Sequence, residues 1–389
     1  MIHNPRTITG ASFLAMLFLG VGTSLVGSAA RDIGLTATQI GLLLTIQNVG
    51  VGIAVVIAGA LSDTQPKSRI LFYGSVLTAG SFLAFYAAPA FWFNLVVMVV
   101  MGAGIGAYEG AADALLFDLH EERASFFINI NHLFVTLGSG IIALYLIFLE
   151  LRWREAVIQA GLVVAALAVA FALIRLPPKH TGQASLAQKL RVIARSRFIA
   201  ALFITAVLVI GVELSTIGVL STFLAELRGF TALPAKLGLV VFLAGIACGR
   251  LLVGYLVRPE RLHRMLLVLL ALSTVSFALL LLVPLGQLTL PAAFLAGLSL
   301  SAQFPLILTY AGLHFRDMTG TVLGAVKIAL PVGGIVLPLL LSALTSTASL
   351  HIALALLPVS LLLALAVFVL GGGLPSTTTL THPPERIAE

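Results

Sequence analysis

The chain is written as a succession of apolar stretches, each about the 20 residues that a helix needs to cross the roughly 30 Å hydrocarbon core of a bilayer. Twelve can be marked, near 9–30, 37–61, 69–88, 92–117, 124–149, 155–175, 199–225, 234–256, 264–284, 288–313, 320–345 and 349–371. Of the 389 residues, 60% are hydrophobic and only 10% charged, more apolar surface than a water-soluble core can hide. The reading is an all-α membrane protein of twelve transmembrane helices whose solvent is lipid.

VGSAA at 26–30 looks like a signal-peptidase site. Against that, the apolar stretch from Ala11 is too long for a signal h-region, Arg6 is the lone basic residue before it, and eleven spans follow, so the first span is read as a retained helix. The single cysteine, Cys248, excludes an intramolecular disulfide.

Basic residues set the orientation. With both termini in the cytoplasm, 15 of the 22 Lys and Arg residues fall on that side, five on the other, and Arg250 and Lys327 lie within spans. Short cytoplasmic loops hold the positive charge, which gives a multi-pass protein of the inner (plasma) membrane. The net charge of +7 thus reports topology and calls for no nucleic-acid partner.

The largest interruption, RLPPKHTGQASLAQKLRVIARSR at 175–197, separates six spans from six. It divides the chain into residues 1–176, a cytoplasmic linker 177–197 and residues 198–371, followed by a Pro-, Gly- and Thr-rich tail 372–389 expected to be disordered. The end of the linker is a basic amphipathic segment suited to a membrane surface, or simply a basic loop. The halves echo one another: GALSDTQPKSR follows span 2 and GYLVRPERLHR follows span 8, so Gly59 and Asp63 correspond to Gly254 and Arg258. Six plus six spans, both halves starting inside, implies pseudo-symmetric parallel repeats about an axis along the membrane normal.

The GALSDTQPKSR loop resembles the G-x-x-x-D-(R/K)-x-G-(R/K)-(R/K) signature of the major facilitator superfamily, with Thr64, Pro66 and Ser68 departing from it. With twelve spans, the basic mid-chain loop and the degenerate copy after span 8, the resemblance covers essentially the whole chain and implies the major facilitator fold of two six-helix bundles. It implies a conformational gate of Gly59, Asp63, Lys67 and Arg69, in which Asp63 meets the start of helix 11 around Gly320 to Gly324. Arg250, near the inner end of span 8, reads as a further gate or anchor.

Span 4 contains GAYEGAADALLFDLH. Glu109 and Asp113, four residues apart, project within about 40° of each other, whereas Asp118 points about 180° away and reads as the solvated end. Glu109 is about 14 Å from that end, close to mid-bilayer, where an ionisable side chain marks function. Gly102, Gly106 and Gly110 form a stripe for close helix packing. In span 5, Asn129, His132 and Thr136 share one face and Asn131 another, so His132 can pair with Glu109 or Asp113 as an ion pair or proton relay. The second half offers Glu213, Lys327, and Gln303 beside a Phe304-Pro305 step expected to kink span 10. Lys327, inside the membrane, needs a partner, water or the loss of its proton.

E-G-A-A-D in span 4 and I-N-I-N-H in span 5 look most like the fucose-permease-type sugar symporters within the superfamily. That resemblance implies a proton carried by Glu109 and an asparagine-like partner at Asn129, Asn131 or Thr136. The expectation is a monomeric secondary transporter of a small organic, sugar-like solute. Protons couple through Glu109, Asp113 and His132, the substrate contacts Asn129, Asn131, Glu213, Gln303 and Lys327, and the protein's other partners are membrane lipids. A proton-coupled drug, metabolite or lysolipid exporter of the same fold is the rival. Enzyme readings find no motif: His120-Glu121 lacks the second histidine of a zinc site, where Ala124 stands, and there is no G-x-S-x-G, so neither cofactor nor metal is called for.

Overall fold

The computed structural model describes residues 4–148, 152–174 and 186–372, so part of the linker (175–185) and the tail from 373 lie outside the described residues. The first half folds as α1 (Pro5–Ile33), α2 (Ala37–Ser62), α3 (Lys67–Ala84), α4 (Phe91–Leu119), α5 (Ala124–Phe148) and α6 (Trp153–Leu173). A short helix, α7 (Leu186–Arg195), leads into α8 (Arg197–Arg228), α9 (Ala232–Leu256) and α10 (Leu262–Leu282). The last three crossings are each in two pieces: α11 (Thr289–Leu300) with α12 (Gln303–His314), α13 (Thr319–Lys327) with α14 (Ala329–Thr347), and α15 (Leu350–Leu354) with α16 (Leu356–Val367).

Proline explains all three breaks. Pro305, Pro331 and Pro358 stand in the first turn of α12, α14 and α16, where the missing N–H costs nothing. Each ring would clash with the carbonyl four residues back, at Ser301, Lys327 and Leu354, so the preceding helix stops there. The expected kink of span 10 is one of these.

Among the described residues, eleven stretches are long and apolar enough to cross a membrane. The remaining crossing, α3, has 18 residues and begins Lys67-Ser68-Arg69, which shortens its apolar part. Large apolar side chains such as Ile53, Val96, Leu162, Val268 and Leu362 are exposed, as a lipid-facing surface requires.

Two apolar cores are built. One gathers residues from α1 to α6, including Met16, Phe82 and Met98, and the other residues from α8 to α16, including Phe242, Phe277 and Leu357. They are called here the first and second lobes. In the first lobe the glycine stripe of α4 lets it lie on the α2 backbone: a Cβ at Gly102 would sit 2.1 Å from the carbonyl oxygen of Gln47. The lobes meet where α2 and α4 touch α13 and where α5 touches α9 and α12.

Candidate functional site

The polar bonds between the lobes, among the described residues, lie towards one end of the bundle, where the α2–α3 turn is found. Their outermost layer centres on Asp63, 4% exposed. Its Oδ1 accepts the Gly320 N–H at 2.7 Å, and its Oδ2 accepts the Thr321 N–H at 3.2 Å and the Thr321 hydroxyl. These are the second and third residues of α13, whose first-turn N–H groups have no partner inside the helix and carry its positive dipole end. The approach is possible because Gly59 lacks a side chain: a Cβ there would lie 2.6 Å from the Gly320 carbonyl oxygen and 2.9 Å from Gly324 Cα.

A residue that sequence reasoning missed joins this layer. Lys189, on α7, donates to Asp63 Oδ2 at 3.0 Å and is 5% exposed. The amphipathic segment therefore turns one basic residue inward, with Ile193 one turn on also buried. Its amphipathic pattern suited a membrane surface and gave no sign of a partner at the end of α2. Lys67 donates to Asp118 at 2.6 Å, so Asp118, exposed at the end of α4, is paired as well as solvated. Arg69 stays outside the layer, exposed and donating to Gln65 on its own turn at 3.2 Å.

Deeper in the seam, Lys327 ends α13 and projects into the first lobe. Its Nζ lies 2.5 Å from Glu109 Oε2, 2.7 Å from Asp113 Oδ2 and 2.6 Å from the Glu109 carbonyl oxygen. Lys327 and Asp113 are fully buried and Glu109 is 5% exposed. Asp113 is further held by Asn131, which donates at 2.7 Å, and by His132 Nε2 at 3.0 Å, while the Ser12 hydroxyl reaches Asn131 Oδ1 at 3.5 Å. The four-residue spacing in α4 thus sets both carboxylates on one ammonium from the opposite lobe.

Arg250 makes a second crossing. Its Nη1 donates to the His132 carbonyl oxygen at 2.9 Å and to the Thr136 hydroxyl, Nη2 to Glu213 at 3.2 Å, and Nε to the Ser301 carbonyl oxygen at 3.3 Å. His132 faces Phe304 edge-on at 5.6 Å between ring centres. Glu109, Asp113, Asn131, His132, Lys327, Arg250 and Glu213 are accordingly one connected polar network. Asn129 sits beside it, its Cβ against Gly254 and its amide donating to the Ser125 carbonyl oxygen at 2.8 Å. Gln303 is not brought to the seam. It is fully buried in its own lobe, its amide donating to Ser273 Oγ at 2.8 Å and to the Leu269 and Ser299 carbonyl oxygens at 3.1 Å. The α11–α12 break turns it towards α10, away from the position expected of a substrate ligand.

Glu109, Asp113 and His132 each offer a ligand atom within 4.8 Å of the others, a geometry that suits a cation. Lys327 Nζ, bonded to both carboxylates, already supplies one from the protein. Chemically, two carboxylates face one ammonium in a low-dielectric seam, so a proton taken up by a carboxylate removes a buried charge.

At the end of α4, His120 Nε2 lies 2.8 Å from the Thr9 hydroxyl and its ring stacks on Phe127 at 3.6 Å. Burial, and then the nearby Arg123 cation, hold its pKa below the ordinary 6.5.

A family model described as Major Facilitator Superfamily matches residues 8–338. None of the curated protein sequences matches the chain. Among solved structures, it aligns with the Major Facilitator Superfamily transporter FucP in the outward conformation at TM-score 0.77 and 18% identity, over 93% of this chain and 98% of that one. A second structure of that protein, the E. coli fucose:proton symporter, aligns at TM-score 0.76 and 19% identity over 95% and 99%. The human organic anion transporter MFSD10 aligns at TM-score 0.75 and 14% identity over 94% and 100%. At these identities the likeness to each structure is one of fold.

Proposed function

The chain belongs to the major facilitator superfamily, and from that membership we propose a secondary transporter that moves a small, sugar-like organic solute by alternating access, with proton coupling at Glu109. The lobes, residues 1–176 and 198–371 with 177–197 as tether, rock about a site near mid-membrane in the inner (plasma) membrane, with the α2–α3 end cytoplasmic. The Lys and Arg bias supports that orientation, and the fold shared with a fucose:proton symporter supports the substrate class. The working unit is a single chain, its partners the solute, protons and lipid.

One observation carries the reading: a buried lysine of one lobe is held by two buried carboxylates of the other. The carboxylates are not equivalent. Asp113 accepts from Lys327, His132 and Asn131 and serves as fixed counter-ion. The Glu109 side chain has Lys327 as its donor, so the incoming proton is placed there. Protonation removes the Glu109 charge, releases one of the two side-chain bonds on Lys327 and lowers the cost of parting α4 from α13. Asn129, Asn131 and Thr136 on α5, with Glu213 on α8, supply neutral and acidic hydrogen-bonding groups for a polyhydroxylated solute. A proton crossing 100 mV releases about 2.3 kcal/mol, sufficient for roughly fifty-fold accumulation of a neutral solute.

The test is transport in proteoliposomes. Glu109→Gln should abolish uptake driven by a pH gradient and spare counterflow exchange. Gradient-driven uptake at the unmodified rate would place the proton elsewhere.

A further inference from the structure

The α2–α3 end of the seam is closed by direct bonds on one side and holds a cleft on the other, although the internal repeat relates the two sides. On the first, Gly59 packs on α13 and Asp63, four residues on, takes the Gly320 and Thr321 N–H groups and the Thr321 hydroxyl. On the second, Gly254 packs on α5 against Asn129 and Phe126, and the residue four positions on is Arg258. The helices met are equivalent too. Each follows one 3-10 turn, Glu121–Arg123 before α5 and Arg316–Met318 before the start of α13. These turns are entered through His120 at φ −138° and ψ 46° and through Phe315 at φ −127° and ψ 59°.

Counted from those turns, Ser125 and Phe126 stand where Gly320 and Thr321 stand. With α5 leaving this end as α9 arrives, Asn129 is set against Gly254, and the extended chain just beyond α9 carries Arg258 to the cleft that Arg123 and Phe126 line at the start of α5. The position that carries a carboxylate on one side therefore carries a guanidinium on the other. Between it and α5 is a cleft of about 970 Å³.

Its first-lobe wall bears Glu121, Glu122 and Arg123, and its second-lobe wall Arg258, Glu260 and Arg316. Arg316 and Glu121 pair across the seam. Arg123, its guanidinium 5.4 Å over the Phe126 ring, and Arg258 face the cleft from opposite lobes, and neither has an ion-pair partner among the described residues. The Ser125 hydroxyl on the first turn of α5 is 2% exposed and has no hydrogen-bond partner among the described residues.

We infer that this cleft binds a small oxyanion of phosphate-like charge and size, held by Arg258 and Arg123 from opposite lobes against the start of α5. Such an anion does on this side what Asp63 does on the other: it puts negative charge at a helix N-terminus and ties the lobes together. Glu122 and Glu260 line the cleft as well, which suits a compact anion wrapped by two guanidinium groups and disfavours an extended polyanion. The ligand is an effector that holds this end shut, and its action is independent of proton coupling at Glu109.

The experiment uses the full chain with Cys248→Ser, spin-labelled through Arg69→Cys and Arg264→Cys, both exposed at this end. Interlobe distances are measured in nanodiscs at constant pH and ionic strength as inorganic phosphate replaces chloride. The closed population should rise saturably by about twofold or more, and Arg258→Gln should remove the response. Arg123→Gln, at an exposed position, reads the same contact should the first variant fold poorly. A distance distribution indifferent to phosphate, or an equal response in both variants, overturns the assignment.

Discussion

Asp63 accepts the backbone N–H of Gly320 at 2.7 Å, a bond between residues 257 positions apart that joins the two lobes at the head of α13. Asp63→Asn keeps the size and removes the charge that Lys189 and the helix end share. Hydrogen bonds to charged groups contribute about 1.5–3 kcal/mol, so the population open at this end should rise by roughly 10-fold or more. Spin-label distances across the seam check it. Lys189→Met should move the same equilibrium in the same direction by a smaller amount.

Removing Lys327 strands two buried carboxylates. Lys327→Met should lower stability by about 3–5 kcal/mol, the usual cost of breaking a buried ion pair from one side. Adding Asp113→Asn to that variant should recover part of the loss, because one of the unpaired charges goes with it. Thermal unfolding of the two single variants and the double variant completes the cycle, and strict additivity would mean the two residues are not coupled.

Gln303 separates packing from substrate contact. With its amide NH2 shared among three acceptors inside its own lobe, Gln303→Leu should reduce thermal stability while leaving the substrate KM of the folded fraction unchanged. An increase in KM without loss of stability would return this side chain to the binding site.

His120 predicts a pH term. Its folded-state pKa is depressed, so the unfolded chain binds the proton more readily. Stability that is complete above the ordinary 6.5 should therefore fall as pH drops through the lowered folded value. Comparing thermal stability at pH 7.5 and 5.5, the decline should be steeper for the native chain than for His120→Gln.

What the sequence made legible was whatever local periodicity encodes. Apolar length marked the crossings, Pro305 marked a break, and the helical wheel of α5 put Asn129 and Thr136 on the face that meets Gly254 and Arg250, but it set His132 apart from Asn131, whereas both side chains bond Asp113. Asp63 was pointed at residues 320–324 by a loop resemblance, and it bonds Gly320 and Thr321. Partners chosen by how the lobes dock were not legible. Lys327 and Glu109 are 218 positions apart, and nothing local specifies that the ammonium of one sits on the carboxylate of the other. Lys189 hid in a linker whose basic character topology already explained. Gln303 misled because a polar residue beside a proline break looks the same from sequence whether the break turns it towards the seam or into its own lobe.

The nine-residue helix α13 is fastened to the opposite lobe at both ends, by Asp63 at its head and by Glu109 and Asp113 through Lys327 at its tail. Six residues, about 9 Å, separate the two fastenings. Drawing either bolt loosens the hold, and only drawing both frees the rod. On the proposed coupling, full opening becomes a coincidence condition: release at the head and a proton at the tail are both required, and either alone shifts the balance without freeing the helix.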